Sequence, residues 1–302
     1  MLFKVFKKTS YTRKLYFLLI PYTLGVLLLV IFPGILSFTL AFFRYDALSS
    51  PLWVGNLNFI LAYTDELFLL SVQNSISLVL LPVPIRVLGA FLMARLMQKK
   101  GPFLNWLRAS IFLPSIIPAP AYALAWLWIL NPLFGPVNII LHALRLALPG
   151  WFANPNWAKP ALIFMSLWQI GEGFLISLAA LSDMPEELED AAYIDGASSG
   201  KMFWLITLPI MFPMLLLLSF RDIILSLQES LTTILLTTNG GPYYSTYILP
   251  LFIYEQGFDL LSFGIASAAM WSLYILSGLI IFVLYSLFGK EGISITDETF
   301  LS

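Results

Sequence analysis

Cysteine is absent from this 302-residue sequence, and histidine occurs only once, as His142. Without cysteine the chain forms no disulfide bonds and offers no thiolate metal ligand or cysteine nucleophile. One histidine is too few for a histidine-based metal site or a Ser-His-Asp triad. The sequence also lacks Gly-x-x-x-x-Gly-Lys-Ser/Thr, the loop with which many ATPases hold phosphates. These absences argue against an enzyme and against ATP hydrolysis by this chain.

Charged residues are scarce as well. They make up 11% of the chain, while hydrophobic residues make up 59%. A soluble domain carries about 25% charged residues because its surface must be solvated. Most of the surface of this protein therefore faces something other than water, and insertion into a lipid bilayer is the simplest explanation. The net charge of −1 gives no indication of a nucleic-acid partner.

Six apolar runs are long enough to cross a bilayer, which takes about 20 residues of helix. They are Tyr16 to Phe43, Leu67 to Met97, Phe103 to Leu130, Pro160 to Leu181, Ile210 to Leu236 and Leu261 to Phe288. Prolines such as Pro114, Pro118 and Pro120 interrupt them, which favours kinked helices around a cavity, although proline is common in membrane helices generally. The sequence predicts an all-α integral membrane protein with about six transmembrane helices.

The distribution of Lys and Arg predicts the orientation, because cytoplasmic segments carry an excess of both. Most of the 16 Lys and Arg residues fall on the inner side if the N-terminus is cytoplasmic. We therefore expect cytoplasmic tails at residues 1–15 and 289–302, a transmembrane domain at residues 16–288, and a cytoplasmic loop at residues 182–209.

The cytoplasmic loop has the pattern of two short helices around a turn. Ser182 or Asp183 is placed to cap the first helix, and Pro185 suits its first position. Gly196 can adopt the left-handed conformation that ends this helix, and Ser198 or Ser199 can cap the second. Such a compact knob suits a groove in a partner protein, although a solvated connector is the plainer alternative.

This loop resembles the cytoplasmic signature loop of bacterial ABC-importer permeases. The family pattern runs Pro-x-x-Leu-x-Glu-Ala-Ala, then Asp-Gly-Ala, then Leu-Pro. The matching residues here are Pro185, Leu188, Asp190-Ala191-Ala192, Asp195-Gly196-Ala197 and Leu208-Pro209. One departure is Asp190, which stands where the family usually has glutamate and reaches one methylene less far.

Other segments extend the resemblance from about Trp53 to Phe288. Asn74-Ser75, Gly135 with Asn138, and Gly240-Gly241-Pro242 with Thr246 are similar to segments of the same family. The Gly-Gly-Pro segment is typical of the first permease in the carbohydrate-uptake branch, the type found in maltose uptake. By itself it indicates only a turn.

The resemblance implies that residues 182–209, called the coupling loop below, insert into an ATPase subunit. Its implied contact residues are Glu187, Asp190, Ala191, Ala192, Asp195 and Gly196. It also implies a second, homologous permease, two ATPase subunits that hold the ATP and magnesium, and an extracytoplasmic solute-binding protein at the prokaryotic plasma membrane. The outer segments, including Asn56 to Glu66, Gly241 to Asp259 and the loop with His142, are the expected seat of the binding protein.

Ionisable residues inside spans are costly and usually face a cavity or a partner. The candidates for a solute pathway are Gly171, Glu172, Gly173, Asp222, Gln228 and Glu229. Carboxylates and amides accept hydrogen bonds from hydroxyl groups, and we expect Trp168, Phe174 and Phe220 to form an aromatic floor. In the alternative, these charges only pair between spans, for example Arg86 with Glu172 or Asp222.

Three carboxylates against two arginines inside the spans favour a neutral sugar over a phosphorylated solute. The predicted function is therefore a permease subunit of an ATP-driven importer for a sugar or a related small polar solute. Glycerol phosphate, another non-sugar solute, and an ion-coupled secondary carrier are the alternatives.

Overall fold

The structure is a computed structural model that describes residues 15–99 and 101–300, and it is mostly helical, at 77%. In chain order the helices are α1 (Leu15–Leu40), α2 (Leu57–Thr64), α3 (Glu66–Leu80), α4 (Pro82–Leu96), α5 (Pro102–Ile116), α6 (Ala119–Ile129), α7 (Pro136–Ala143), α8 (Pro155–Leu167), α9 (Gly171–Ser182), α10 (Glu186–Ile194), α11 (Ser199–Thr237), α12 (Leu249–Tyr254) and α13 (Phe263–Phe300). Two short strands, β1 (Phe43–Arg44) and β2 (Leu52–Trp53), lie between α1 and α2.

Within the described residues, five helical stretches are long and apolar enough to cross a membrane, and a bent pair makes six if it counts as one span. The five are α1, α3 with α4, α8 with α9, α11 and α13, and the bent pair is α5 with α6. All six predicted runs therefore correspond to apolar helices. The prediction of an all-α membrane protein is confirmed.

The third predicted span, Phe103 to Leu130, is not one continuous helix. It is divided into α5 and α6, whose axes differ by 103°. Ile117 takes an extended conformation with ψ of 126°, and Pro118 follows it with ψ of 139°. A proline disfavours helical geometry in the residue before it, so α5 ends where Pro118 begins the turn.

The fourth predicted span, Pro160 to Leu181, begins five residues early and is interrupted. The side chain of Asn154 accepts a hydrogen bond from the backbone N–H of Asn156 at 2.9 Å, and Pro155 takes the first helical position. This cap starts α8 at Pro155. Residues 168–170 then separate α8 from α9.

The described residues form two compact units, of which the first comprises residues 15–65 and 253–271. In it, β1 and β2 pair antiparallel, with Phe43 opposite Trp53. The buried amide of Asn58 donates to the carbonyls of Ala41 at 2.9 Å and Phe43 at 2.8 Å. Gly264 lies so close to this point that a Cβ would meet the Phe43 carbonyl oxygen at 2.2 Å. Asn58 therefore fixes the turn that follows α1.

The second unit comprises residues 66–252 and 272–302 and contains both the cavity and the coupling loop. Its core includes Phe91, Met165, Phe174 and Leu227, all fully buried. The predicted tail at residues 1–15 lies, but for Leu15, outside the described residues. At the other end, helix α13 continues to Phe300, beyond the predicted end of the last span at Phe288.

Candidate functional site

The coupling loop contains the two short helical segments that the sequence predicts, with a different start. Helix α9 runs to Ser182 and Asp183 follows it as the C-cap, so neither residue caps α10. Pro185 instead occupies the N-cap position of α10, with ψ of 126° and no side-chain cap. The prediction of a Ser182 or Asp183 cap, with Pro185 at the first helical position, is therefore wrong by one position.

The end of α10 follows the prediction. Gly196 has φ of +75°, the left-handed conformation. The N–H of Ala197 donates to the Ala192 carbonyl at 2.9 Å, and that of Gly196 to the Tyr193 carbonyl at 3.1 Å. This pair of bonds is the Schellman motif, which satisfies the last carbonyls of a helix. The Ser198 side chain then accepts from the Lys201 N–H and begins α11.

Most of the predicted contact residues of the coupling loop are exposed. Glu187, Asp190, Ala191, Asp195 and Gly196 face solvent, whereas Ala192 is buried. Two large apolar side chains next to them are also exposed, Tyr193 to 77% and Ile194 to 83%. The loop thus presents an acidic and apolar outer surface over a buried alanine.

One contact of the coupling loop is not among the sequence predictions. The guanidinium of Arg95, at the end of α4, lies 2.7 Å from a carboxylate oxygen of Glu189. It also donates to the side chain of Gln98 at 2.5 Å, and Gln98 donates to the backbone carbonyl of Leu181 at 3.0 Å. Arg95 and Glu189 are far apart in the chain, so no local pattern in the sequence points to their pairing.

Between the helices of the second unit lies a cavity of about 240 Å³. It mixes apolar walls with charged and hydroxyl side chains. The polar residues that line it are Arg86, Ser115, Tyr122, Ser166, Gln169, Glu172, Arg221, Asp222, Ser226, Glu229, Ser230 and Thr233. The helices around this partly open cavity belong to stretches long and apolar enough to cross a membrane, so its polar side chains offer hydrogen-bond partners to a small hydrophilic solute.

Arg86 and Asp222 form the more buried of two ion pairs in the cavity. The Arg86 Nη2 lies 2.7 Å from Asp222 Oδ2, and the two side chains are only 11% and 22% exposed. The Arg86 Nε–H also donates to Asp222 Oδ2 at 3.0 Å, and its Nη2 to the Ser226 hydroxyl at 2.5 Å. For this residue the alternative of pairing between spans is what the structure shows. The pair joins α4 to α11.

Arg221 and Glu172 form the second ion pair, between α11 and α9. Their side chains are 40% and 50% exposed, so this pair is far more open than the first. Its charged atoms are accessible from the cavity.

The remaining predicted pathway residues divide into two groups. Gly173 and Glu229 line the cavity, and Gln228 and Gly171 do not. Gly171 is buried against α5, where a Cβ would meet the Ser115 hydroxyl at 2.5 Å and the Phe112 Cα at 2.8 Å. Its missing side chain makes room for a neighbouring helix and not for a solute.

The predicted aromatic floor is wrong. Phe174 is fully buried, and neither Trp168, Phe174 nor Phe220 is among the residues that line the cavity. Tyr122 of α6 is the aromatic residue in the lining, and its hydroxyl donates to the Met165 carbonyl at 2.5 Å. Phe174 instead packs in the helix core, and the turn after α5 places Tyr122 of α6 at the cavity wall.

Two of the segments that carry the family resemblance contact each other. The buried amide of Asn74 donates to the carbonyls of Tyr244 at 3.0 Å and Tyr247 at 2.8 Å. The Ser75 hydroxyl accepts from the Leu249 N–H at 2.9 Å. Asn74 and Ser75 therefore hold the chain that follows the Gly240-Gly241-Pro242 turn.

Among the described residues, no group of three or more His, Asp or Glu side chains is placed to hold a metal ion.

Comparisons with known proteins extend the resemblance. The sequence model of the family described as binding-protein-dependent transport system inner membrane component matches residues 86–291. The chain is 31% identical over 279 residues to the probable ABC transporter permease protein YesP of Bacillus subtilis, covering 88% of this chain and 87% of that protein. It is 30% identical over 272 residues to the sulfoquinovosyl glycerol transport system permease protein SmoG of Agrobacterium fabrum, covering 86% and 85%.

Among solved structures, the fold is similar to a chain of a bacterial alginate ABC transporter in complex with an alginate pentasaccharide-bound periplasmic protein. The TM-score is 0.78 at 22% sequence identity, and the match covers 93% of this chain and 96% of that one. At this identity the match shows a shared fold.

Proposed function

The chain belongs to the family of binding-protein-dependent transport system inner membrane components, and we propose that it is the sugar-importing type of ABC permease, forming half of a translocation pathway. The partly open polar cavity among the apolar span helices carries this proposal. It offers carboxylates, hydroxyls and an amide to a solute at membrane depth. The solutes in the names of similar proteins include the sugar lactose, the polysaccharide alginate and also sn-glycerol-3-phosphate.

A neutral sugar fits the charges of the cavity better than a phosphorylated solute does. Both arginines, Arg86 and Arg221, are already paired with carboxylates, and Glu229 adds a further acid to the lining. A phosphate group would require a free cation, because its charge must be matched once it leaves water. The alternative of glycerol phosphate is therefore disfavoured.

The proposed assembly contains a second, homologous permease that closes the pathway and two ATPase subunits that hold ATP and magnesium. The coupling loop is the proposed contact with one ATPase, since its exposed Tyr193 and Ile194 offer apolar surface on an otherwise acidic helix. An external solute-binding protein delivers the solute, and both termini lie in the cytoplasm of a prokaryotic cell. An ATPase that closes on nucleotide would then push the coupling loop and reopen the cavity outward.

The test is to express the chain with its genomic neighbours, purify it in detergent and identify the proteins that co-purify. We expect an ATPase and a second permease. The reconstituted complex should take up labelled neutral sugars only when ATP is supplied on the cytoplasmic side. A chain that purifies alone and transports in response to a proton or sodium gradient would instead be a secondary carrier.

A matched pair of variants tests the proposed contact between the coupling loop and the ATPase. Gly196→Pro removes the backbone N–H that donates to the Tyr193 carbonyl and should release the ATPase while the second permease stays bound. Gly200→Ala, where a Cβ has open space, should leave both partners bound. If neither variant releases the ATPase, the loop is only a connector.

A further inference from the structure

Helices α4 and α9 both extend from the cavity to the coupling loop. On α4, Arg86 lines the cavity and Arg95 contacts Glu189 of the loop. On α9, Glu172 lines the cavity and Leu181 accepts the bond from Gln98. Each pair is separated by nine residues, which is about 14 Å of helix. Both helices therefore span about the same distance from the cavity to the start of the coupling loop.

The two helices are also packed closely along their length. A Cβ built on Gly173 of α9 would lie 3.3 Å from the Cβ of Ala90 on α4. Ala90 and Phe91 of α4 and Phe174 of α9 are almost fully buried. Closely packed interiors resist deformation and transmit displacement, so α4 and α9 form one stiff element.

At the cytoplasmic end, side chains bind this element to the coupling loop. The Arg95 guanidinium donates to Glu189 at 2.7 Å and to Gln98 at 2.5 Å, and Gln98 donates to the Leu181 carbonyl at 3.0 Å. Arg95 and Glu189 are 24% and 32% exposed, so water screens this ion pair only partly. The bonds thus join three elements, α4, α9 and α10.

A second arginine fixes the end of α4. Arg108 of α5 donates to the carbonyl of Met97 from Nε at 3.1 Å and from Nη2 at 2.5 Å, and to the carbonyl of Lys99 at 3.0 Å. The Met97 carbonyl lies at the C-cap of α4, where carbonyls lack intrahelical partners and a nearby cation is favourable, and the Lys99 carbonyl lies in the segment that follows. Arg108 therefore joins the end of α4 to α5.

We propose that Arg95 and Gln98 are positioning residues that make α4 and α9 move with the coupling loop, so that a displacement of α10 reaches the cavity wall at Arg86 and Glu172. This rests on the proposed function, because the displacement comes from the partner ATPase. The guanidinium suits the role, since its Nη1 donates to both acceptors at once. Glu189 occupies the variable position of the family pattern, between Leu188 and Asp190, and accepts the hydrogen bond from Arg95.

The absence of cysteine allows a direct test that requires no knowledge of the solute. Ser230 lines the cavity, so Ser230→Cys in the full complex reports cavity access through its rate of labelling by a charged methanethiosulfonate reagent. The measured quantity is the ratio of labelling rates between the nucleotide-free and vanadate-trapped states. Arg95→Glu and Glu189→Arg should each lower the nucleotide-dependent change about fivefold, the equilibrium effect of losing a partly exposed ion pair.

Rescue of one charge reversal by the opposite one distinguishes a positioning role of Arg95 from a general structural role. The double variant Arg95→Glu with Glu189→Arg should restore most of the nucleotide-dependent change in labelling rate. All variants should retain the bound ATPase and its ATP hydrolysis. Lys99→Glu is the matched control, because the same kind of charge reversal falls four residues on at an exposed side chain. Should Arg95→Glu not fold, Gln98→Leu, which leaves no unpaired buried charge, tests the same connection.

The outcomes differ between the two proposals. If the unaltered complex contains no ATPase, or nucleotide does not change labelling of Ser230→Cys, the proposed function fails. If nucleotide changes the labelling rate in the unaltered complex and changes it equally in the single variants, the positioning role is overturned. It is also overturned if the double variant shows as small a nucleotide-dependent change as the single variants. Loss of the ATPase from Arg95→Glu would likewise overturn it, because the residue would then act on docking.

Discussion

The cavity and the coupling loop differ in whether their charged side chains are paired within the chain. In the cavity, four of the charged side chains form two ion pairs between helices of the same chain. In the described part of the coupling loop, Glu189 alone forms an ion pair, while Asp190 and Asp195 face solvent beside the exposed Tyr193 and Ile194. The charges of the cavity are paired largely within this chain, whereas the loop leaves acidic and apolar surface exposed for the proposed ATPase contact. Changes in the cavity should therefore alter the stability of the chain, and changes in the loop should alter its association.

The largest expected effect is at the buried ion pair of the cavity. Arg86→Met leaves Asp222 without its charged partner, and we expect the free energy of unfolding to fall by roughly 3 kcal/mol, because breaking a buried pair strands a charge. Thermal unfolding in detergent measures the change. The double variant Arg86→Met with Asp222→Leu should regain most of it. A single variant as stable as the original would show that the pair is solvated in the membrane.

A smaller loss is expected where α9 packs on α5. Gly171→Val places side-chain atoms where the Phe112 Cα already lies 2.8 Å from the Cβ position, so the helices must separate. Overpacking of this kind costs about 1–3 kcal/mol, measured by the same unfolding experiment. Gly89→Ala on α4 is the control, because a Cβ there meets nothing within 4 Å and alanine is the better helix former. Equal stability of the two variants would contradict the packing.

In the coupling loop, the corresponding change should affect association more than stability. Gly196→Ala forces a side chain onto a residue with φ of +75°, at a cost of about 1–2 kcal/mol for the local turn. Because α10 is largely exposed, we expect the unfolding temperature to change little and the yield of co-purified ATPase to fall. An unfolding temperature lowered as much as by Gly171→Val would remove the distinction between the two regions.

The sequence alone predicts the features that depend on local physics. Apolar runs predict the spans, and the glycine at position 196 predicts the left-handed turn that ends α10, as the structure confirms. The charges inside the spans also predict where the cavity lies, since Glu172, Asp222 and Glu229 all line it.

What the sequence does not predict depends on contacts between distant segments. Pro118 indicates a kink in the third span but not its size, so neither the 103° bend between α5 and α6 nor the placement of Tyr122 in the cavity follows from the sequence. The partners of Arg95 and the burial of Gly171 against α5 are likewise set by packing. A glycine beside a carboxylate gives the same local pattern whether it faces a solute or a helix.

The smallest effect on stability is expected at the open ion pair of the cavity, which tests the comparison most sharply. Arg221 and Glu172 are as exposed as many surface pairs, and such pairs contribute about 0–1 kcal/mol. Glu172→Gln should therefore leave the unfolding temperature and the co-purified subunits nearly unchanged. It should still lower ATP-dependent sugar uptake or shift the preference among neutral sugars, because an amide replaces a carboxylate that accepts hydroxyl hydrogen bonds. Unchanged uptake across a panel of sugars would mean that the Arg221–Glu172 pair only joins α9 to α11. The two ion pairs of the cavity would then differ in exposure but not in function.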